Sequence, residues 1–136
     1  MKLIVCLFVI FGISLAIRAQ DETFFKALHQ VETSGRTGNV IGDNGRSLGP
    51  FQISRAYWLD ATEKRRDLRK QGYGSVARKG YAEQIVRLYF LRYGRRAVLE
   101  KDYETLARLH NSGPSWRKKK HLTDKYWNKF KKELDR

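Results

Sequence analysis

Asp21-Glu22-Thr23-Phe24-Phe25-Lys26-Ala27-Leu28-His29-Gln30-Val31-Glu32-Thr33-Ser34-Gly35, followed four residues later by Val40-Ile41-Gly42-Asp43-Asn44-Gly45-Arg46-Ser47-Leu48-Gly49-Pro50-Phe51-Gln52-Ile53, carries the architecture of this chain. In the first part Phe24, Leu28 and Val31 recur at i, i+4 and i+7, and Phe25 and Ala27 widen the stripe, so 21–33 reads as an amphipathic helix. Asp21 and Glu22 complement the positive end of that helix, and Ser34-Gly35 suits its termination. From Gly38 the helical period is gone. Val40-Ile41, the Gly42–Gly45 turn and the return through Ser47-Leu48-Gly49-Pro50-Phe51 predict a short strand, a tight turn and a returning segment.

Downstream the pattern is helical again. Ser54 to Ala61 carries Tyr57 and Trp58; the charged run Lys64–Lys70 follows and is broken by Gly72-Tyr73-Gly74. A long helix is predicted from Ser75 to Tyr93, with Ala82, Ile85, Val86 and Tyr89 on one side. Another is predicted from Leu99 to His110, with Tyr103, Leu106, Ala107 and His110 on one face, stopped by Asn111-Ser112-Gly113-Pro114. Thr123 to Leu134 closes the series with Trp127, Phe130 and Leu134. The expectation is an α+β fold, mostly helical, with one small β-hairpin inserted after the first helix. No linker, repeat or low-complexity segment divides it, so residues 20–136 are expected to form one domain.

Upstream, Met1-Lys2 precedes an apolar run from Leu3 to Ile17, interrupted only by Gly12 and Ser14 and ended by Arg18. Charge, apolar run and small residue in that order read as a secretory signal peptide over 1–19, cut after Ala19, with Ala16 as the rival cleavage site. The run is short for a membrane span, which needs about 20 residues. Removal takes away Cys6, the one cysteine, so the mature chain has no thiol. It leaves 26 basic against 14 acidic residues, a net charge of +12 over 117 residues.

Composition limits the chemistry. The 136 residues are 41% hydrophobic and 12% aromatic, enough for a packed core. Without cysteines, and with His29, His110 and His121 far apart in sequence, neither a disulfide framework nor a metal cluster is expected, and no cofactor is implied. His29 and His121 are expected at the surface.

Most acids sit among basic neighbours at helical spacing, the pattern of a solvated face with weak ion pairs. Glu32 does not. At about 100° per residue it projects between Phe25 and Leu28, within the apolar sector and in the last helical turn. Apolar surroundings and the negative helix end both disfavour ionisation and raise a carboxyl pKa, which suits a general acid. Asp43 lies eleven residues on, in a polar turn. Two carboxyls in contrasting environments beside a cleft form the pair that breaks glycosidic bonds.

These same segments, with Ala56-Tyr57-Trp58-Leu59-Asp60, Tyr89-Phe90-Leu91-Arg92-Tyr93-Gly94, Ala107–Pro114 and Tyr126-Trp127-Asn128-Lys129, resemble the invertebrate-type lysozymes, the family that includes destabilase. The resemblance implies a lysozyme-like fold and a secreted muramidase that hydrolyses the β-1,4 bond between N-acetylmuramic acid and N-acetylglucosamine in bacterial peptidoglycan. It implies Glu32 as general acid and Asp43 as catalytic aspartate, with Ser47, Tyr57, His110 and Asn111 as cleft residues that bind sugar. The chain departs from the family in its missing disulfides and in a loop one residue shorter before Gly49-Pro50. The Glu…Gly-Asp-x-Gly…Gly-Pro-x-Gln-Ile pattern is also similar to goose-type lysozymes and lytic transglycosylases. Isopeptidase activity, carried by some members, finds no serine–lysine pairing here.

The strong positive charge predicts attraction to anionic bacterial envelopes. It also supports a second reading, a non-enzymatic cationic antimicrobial or glycan-binding protein on the same scaffold. The basic, aromatic segment 115–132 looks superficially like a nucleic-acid strip, but Trp127 and Phe130 at i, i+3 read as core and a leader argues against nucleic acid. A monomer is expected.

Overall fold

The computed structural model describes residues 21–136; the leader assigned to 1–19 and Cys6 lie outside the described residues. The chain is helical from residue 21 to residue 33 (α1). Three two-residue strands follow, β1 (Ile41–Gly42), β2 (Ser47–Leu48) and β3 (Ile53–Ser54). They pair antiparallel in the order β1-β2-β3, with Ile41 opposite Leu48 and Leu48 opposite Ile53. The remaining helices are α2 (Arg55–Ala61), α3 (Arg66–Arg69), α4 (Lys79–Tyr93), α5 (Arg95–Glu100), α6 (Tyr103–Ser112) and α7 (Asp124–Leu134). Helical turns of the tighter 3-10 type cover Tyr73–Ala77 and Trp116–Thr123. The α+β fold is the expected one.

Local chemistry explains where the elements begin and end. Ser54 caps α2 by accepting the Tyr57 N–H at 3.2 Å, and Asp102 caps α6 by accepting the Thr105 N–H at 3.0 Å. That second cap divides the helix expected over Leu99–His110 into α5 and α6. Lys101 adopts a left-handed conformation at φ 54° between them. An Asp that can satisfy free amides at a helix start stabilises a break more than a continuous helix would. The long helix starts at Lys79 rather than Ser75, because 73–77 winds as a 3-10 turn after Gly72 at φ 81°. The expected hairpin gains a third strand, since the turn at Gly49-Pro50 sends Ile53-Ser54 back along β2.

That turn is held on both sides. Gly49 sits at φ 84°, and a side chain there would meet the Val76 carbonyl oxygen. The Gln52 amide donates to the carbonyls of Val40 and Gly49, both at 2.9 Å. The Thr33 hydroxyl, at the end of α1, lies 3.2 Å from the Pro50 carbonyl. His110 Nε2 lies 3.0 Å from the Phe51 carbonyl. The Gly-Pro-Phe-Gln run therefore wedges between α1 and α6, with Phe51 fully buried against Phe25 and His29. His29 is buried, not at the surface as expected, because Arg36 folds back to place its carbonyl 2.8 Å from His29 Nε2.

The core runs through Phe24, Leu28, Phe51, Ile53, Ile85, Val86, Leu109 and Phe130. Arg108 fastens α7 to α6 from inside. Its side chain is 4% exposed, and its guanidinium reaches Glu104, Asp124 and the Thr123 hydroxyl at 2.7–2.8 Å. Glu104 and Asp124 are themselves half in solvent and can rehydrate if Arg108 is lost, so the loss is that of a charged hydrogen-bond set rather than of a stranded buried charge. Arg108→Ala is accordingly expected to lower unfolding free energy by about 2–3 kcal/mol in urea titrations. A change under about 0.5 kcal/mol, the range of ordinary surface substitutions, would contradict this role.

Candidate active site

Glu32 occupies the last turn of α1, and its side chain is 16% exposed. Two helices distant in sequence bring three side chains to it. From α7, the Tyr126 hydroxyl donates to Glu32 Oε1 at 2.5 Å. From the same helix, Lys129 Nζ donates to the Val31 carbonyl at 2.8 Å, placing a cation where α1 presents unpaired carbonyls. From α6, His110 Nε2 lies 3.6 Å from Glu32 Oε1.

Desolvation is the largest influence on the Glu32 carboxyl and drives its pKa up to about 7 from 4.5. The Tyr126 hydrogen bond and the charge of Lys129 pull in the opposite direction and are outweighed; the Asp43 carboxylate adds a further upward push. Near neutral pH, Glu32 therefore exists as a mixture of acid and carboxylate.

His110 does not neutralise it. Burial, opposed by the bond to Phe51, depresses the imidazole pKa to about 4. A carbonyl can only accept, so Nε2 carries the hydrogen towards Phe51, and Nδ1 accepts from the Tyr57 hydroxyl at 3.1 Å. The 3.6 Å approach to Glu32 is thus a contact between a carboxyl and a neutral ring. Tyr57 in turn stacks on Tyr89, with centroids 3.6 Å apart.

Asp43 stands opposite in character. It is exposed, in the turn between β1 and β2, where Asp43 and Asn44 both take positive φ, 49° and 55°. Asp and Asn tolerate that conformation better than other side-chain-bearing residues. The buried Ser47 hydroxyl donates to Asp43 Oδ2 at 2.9 Å, and the Asp43 charge is felt at Glu32.

The expected residues thus fall into two groups. Glu32, Asp43 and Ser47 share one electrostatic neighbourhood. The Tyr57 hydroxyl and both His110 ring nitrogens are spent on one another and on Phe51, behind Glu32 rather than open to a sugar. Asn111, at the end of α6, is exposed and lines an open groove of about 790 Å³ together with Tyr126 and Lys129. The sequence reading missed Tyr126 and Lys129 as site residues. Their spacing with Phe130 on α7 signals a helix face and says nothing of a carboxyl over ninety residues earlier. Among the described residues no cluster of His, Cys, Asp and Glu could hold a metal ion, and no helix is long and apolar enough to cross a membrane.

Comparison with known proteins places this geometry in context. The Destabilase family model matches residues 21–133. A protein of Crassostrea virginica named Lysozyme 1 is 33% identical over 86 residues, which are 63% of this chain and 44% of that protein. One of Meretrix lusoria named Lysozyme is 36% identical over 87 residues, 63% of this chain and 66% of its own length. The chain thus spans roughly half to two thirds of the curated relatives it matches.

Glu32 and His110 make opposite demands on stability. The folded protein holds the Glu32 proton more tightly than the unfolded chain, so stability falls as pH rises from 4.5 to about 7. It resists protonation of His110, so stability falls as pH drops from 6.5 to about 4. Between pH 4.5 and 6.5 the two slopes cancel in the wild type. Glu32→Gln leaves only the histidine slope: its stability should climb by about 3 kcal/mol from pH 4 to 6.5 and exceed wild type by a similar amount above pH 7. Chemical denaturation across that range checks this, and parallel profiles for the two proteins would contradict it.

Proposed function

The chain belongs to the Destabilase family, and from that premise we propose that its domain is a secreted muramidase acting on the β-1,4 bond between N-acetylmuramic acid and N-acetylglucosamine in bacterial peptidoglycan. The observation that carries the reading is the Glu32 carboxyl, desolvated to a pKa of about 7 and within the field of an exposed aspartate. A group so poised is both protonated enough to act as an acid and basic enough to take the proton back.

Tyr126 occupies Glu32 Oε1, which leaves Oε2 to carry the transferable proton. That proton passes to the glycosidic oxygen as the C1–O bond breaks and its electron pair goes to the leaving sugar. Asp43, held by Ser47, faces the positive charge that develops at C1. Water then adds to C1 and returns a proton to Glu32. Tyr57 and His110 act as positioning residues, a neutral, rigid backing that sets where Glu32 lies without ionising beside it. The apolar run of residues 3–17 supplies the secretory leader, and the +12 charge left after its removal favours encounter with anionic envelopes. That charge also favours the second reading, killing without hydrolysis.

The deciding comparison is the release of reducing ends from purified peptidoglycan. Glu32→Gln is expected to lose activity by about 10³-fold or more, the acid having no replacement, and Asp43→Asn by about 10–10²-fold. Lysis of cells by Glu32→Gln at the wild-type rate would establish the non-enzymatic reading instead.

Tyr126→Phe probes the hydroxyl alone. Because its hydrogen bond lowers the Glu32 pKa, losing it should move the alkaline limb of the pH–rate profile upward, with kcat reduced about 10-fold. A packing role alone would leave that limb where it stands in the wild type.

A further inference from the structure

The groove beside Tyr126 is walled by Lys125 and Lys132, and by Lys129, whose ammonium is bonded to the Val31 carbonyl and acts on Glu32. Lys125, Lys129 and Lys132 lie at i, i+4 and i+7 on α7, so they leave one face of the helix over about 10 Å of its length. Among the described residues no carboxylate lies within ion-pair distance of any of the three. The acids nearest in sequence are engaged elsewhere: Asp124 with Arg108, and Glu133 with Arg136 at 2.9 Å. Like charges at this spacing repel, so an anion that meets Lys125 and Lys132 relieves that repulsion. One end of the groove reaches Glu32, since Tyr126 and Lys129 both line it and both bond to the last turn of α1.

We propose that this groove is a subsite for the carboxylates of the peptide stem carried by the glycan strand. The proposal rests on the muramidase reading of the adjoining site. Its walls are mixed in character. Leu122 is 62% exposed on the groove, and Asn111 and Asn128 offer amides beside the lysines. An acidic peptide presents apolar side chains, backbone amides and carboxylates together and can use all of these groups; a polyol phosphate offers charge and hydroxyls but no apolar group for Leu122. The groove thus recognises the substituent while Glu32 meets the sugar bond next to it. Cleavage is thereby directed to decorated strands over bare polysaccharide.

The test uses the full chain carrying Glu32→Gln, so that binding is read without cleavage. Its binding to purified sacculi, stripped of phosphate polymers, is measured by co-sedimentation at fixed ionic strength. Two further variants on this background lose the same charge: Lys125→Gln/Lys132→Gln in the groove, and Lys64→Gln/Lys70→Gln on the exposed surface around α3. Each is measured on sacculi with free stem carboxylates and on sacculi with those carboxylates capped as amides. The expected result is at least 10-fold weaker binding for the groove variant on free carboxylates, and less than 2-fold for the other. Capping should lower the parent to the level of the groove variant and leave that variant unchanged. Equal losses for the two variants would assign the effect to net charge and overturn the proposal. Indifference to capping, or failure of the parent to bind the stripped sacculi, would overturn it as well. Hydrolysis of the same sacculi by the Glu32 protein separates the two readings: failure to cleave with the binding results as expected refutes the muramidase and leaves the groove standing, while cleavage with the binding results reversed refutes the groove alone.

Discussion

Taking one carboxyl out of water at the end of α1 is the constraint around which this molecule is arranged. A pKa near 7 for Glu32 means that its ionised form costs about 3 kcal/mol in the folded state. A domain of this size has a net stability of only about 5–15 kcal/mol, so the rest of the structure must hold Glu32 in place against that cost. Tyr126 and Lys129 soften the penalty without removing it. Had a guanidinium stood where the Tyr126 hydroxyl stands, the pKa would have been driven down and the proton lost.

Two rigid pieces deliver those neighbours. The Gly49-Pro50-Phe51-Gln52 turn lies between α1 and α6, tied to Thr33 on one side and His110 on the other. Burial keeps the His110 ring neutral, and because the Phe51 carbonyl fixes its tautomer, Tyr57 is drawn to the other nitrogen. Arg108 joins α6 to α7 and so sets the position from which Tyr126 reaches Glu32. With no cysteine among the described residues, a small domain has to obtain this precision from buried polar contacts and a close-packed aromatic core.

Local pattern reveals the parts of this scheme that are local. Phe24, Leu28 and Val31 disclose α1, and the position of Glu32 inside that stripe already implies an unusual carboxyl. Gly42-Asp43-Asn44-Gly45 discloses the turn that carries Asp43. What sequence conceals is contact between distant elements. Nothing near Tyr126 indicates that its hydroxyl ends on Glu32, and nothing near Arg108 marks it as buried. His29 reads as a surface residue because its partner is a backbone carbonyl, which has no letter in the sequence. Family resemblance implies Tyr57 and His110 as sugar-binding residues, and it carries no sign that their polar atoms turn inward to each other and to Phe51. The cap at Asp102, a local signal, was masked by the continuous apolar period across 99–110.

The central claim is a property of one side chain and can be read directly. Following the carboxyl carbon resonance of Glu32 by NMR from pH 3 to 9, in the wild-type chain, gives its titration midpoint. The expected midpoint is near 7, displaced further upward in Tyr126→Phe. A midpoint near 4.5, the value of a glutamate in water, would mean that the carboxyl is hydrated and ionised at neutral pH, and the proposed acid would not exist.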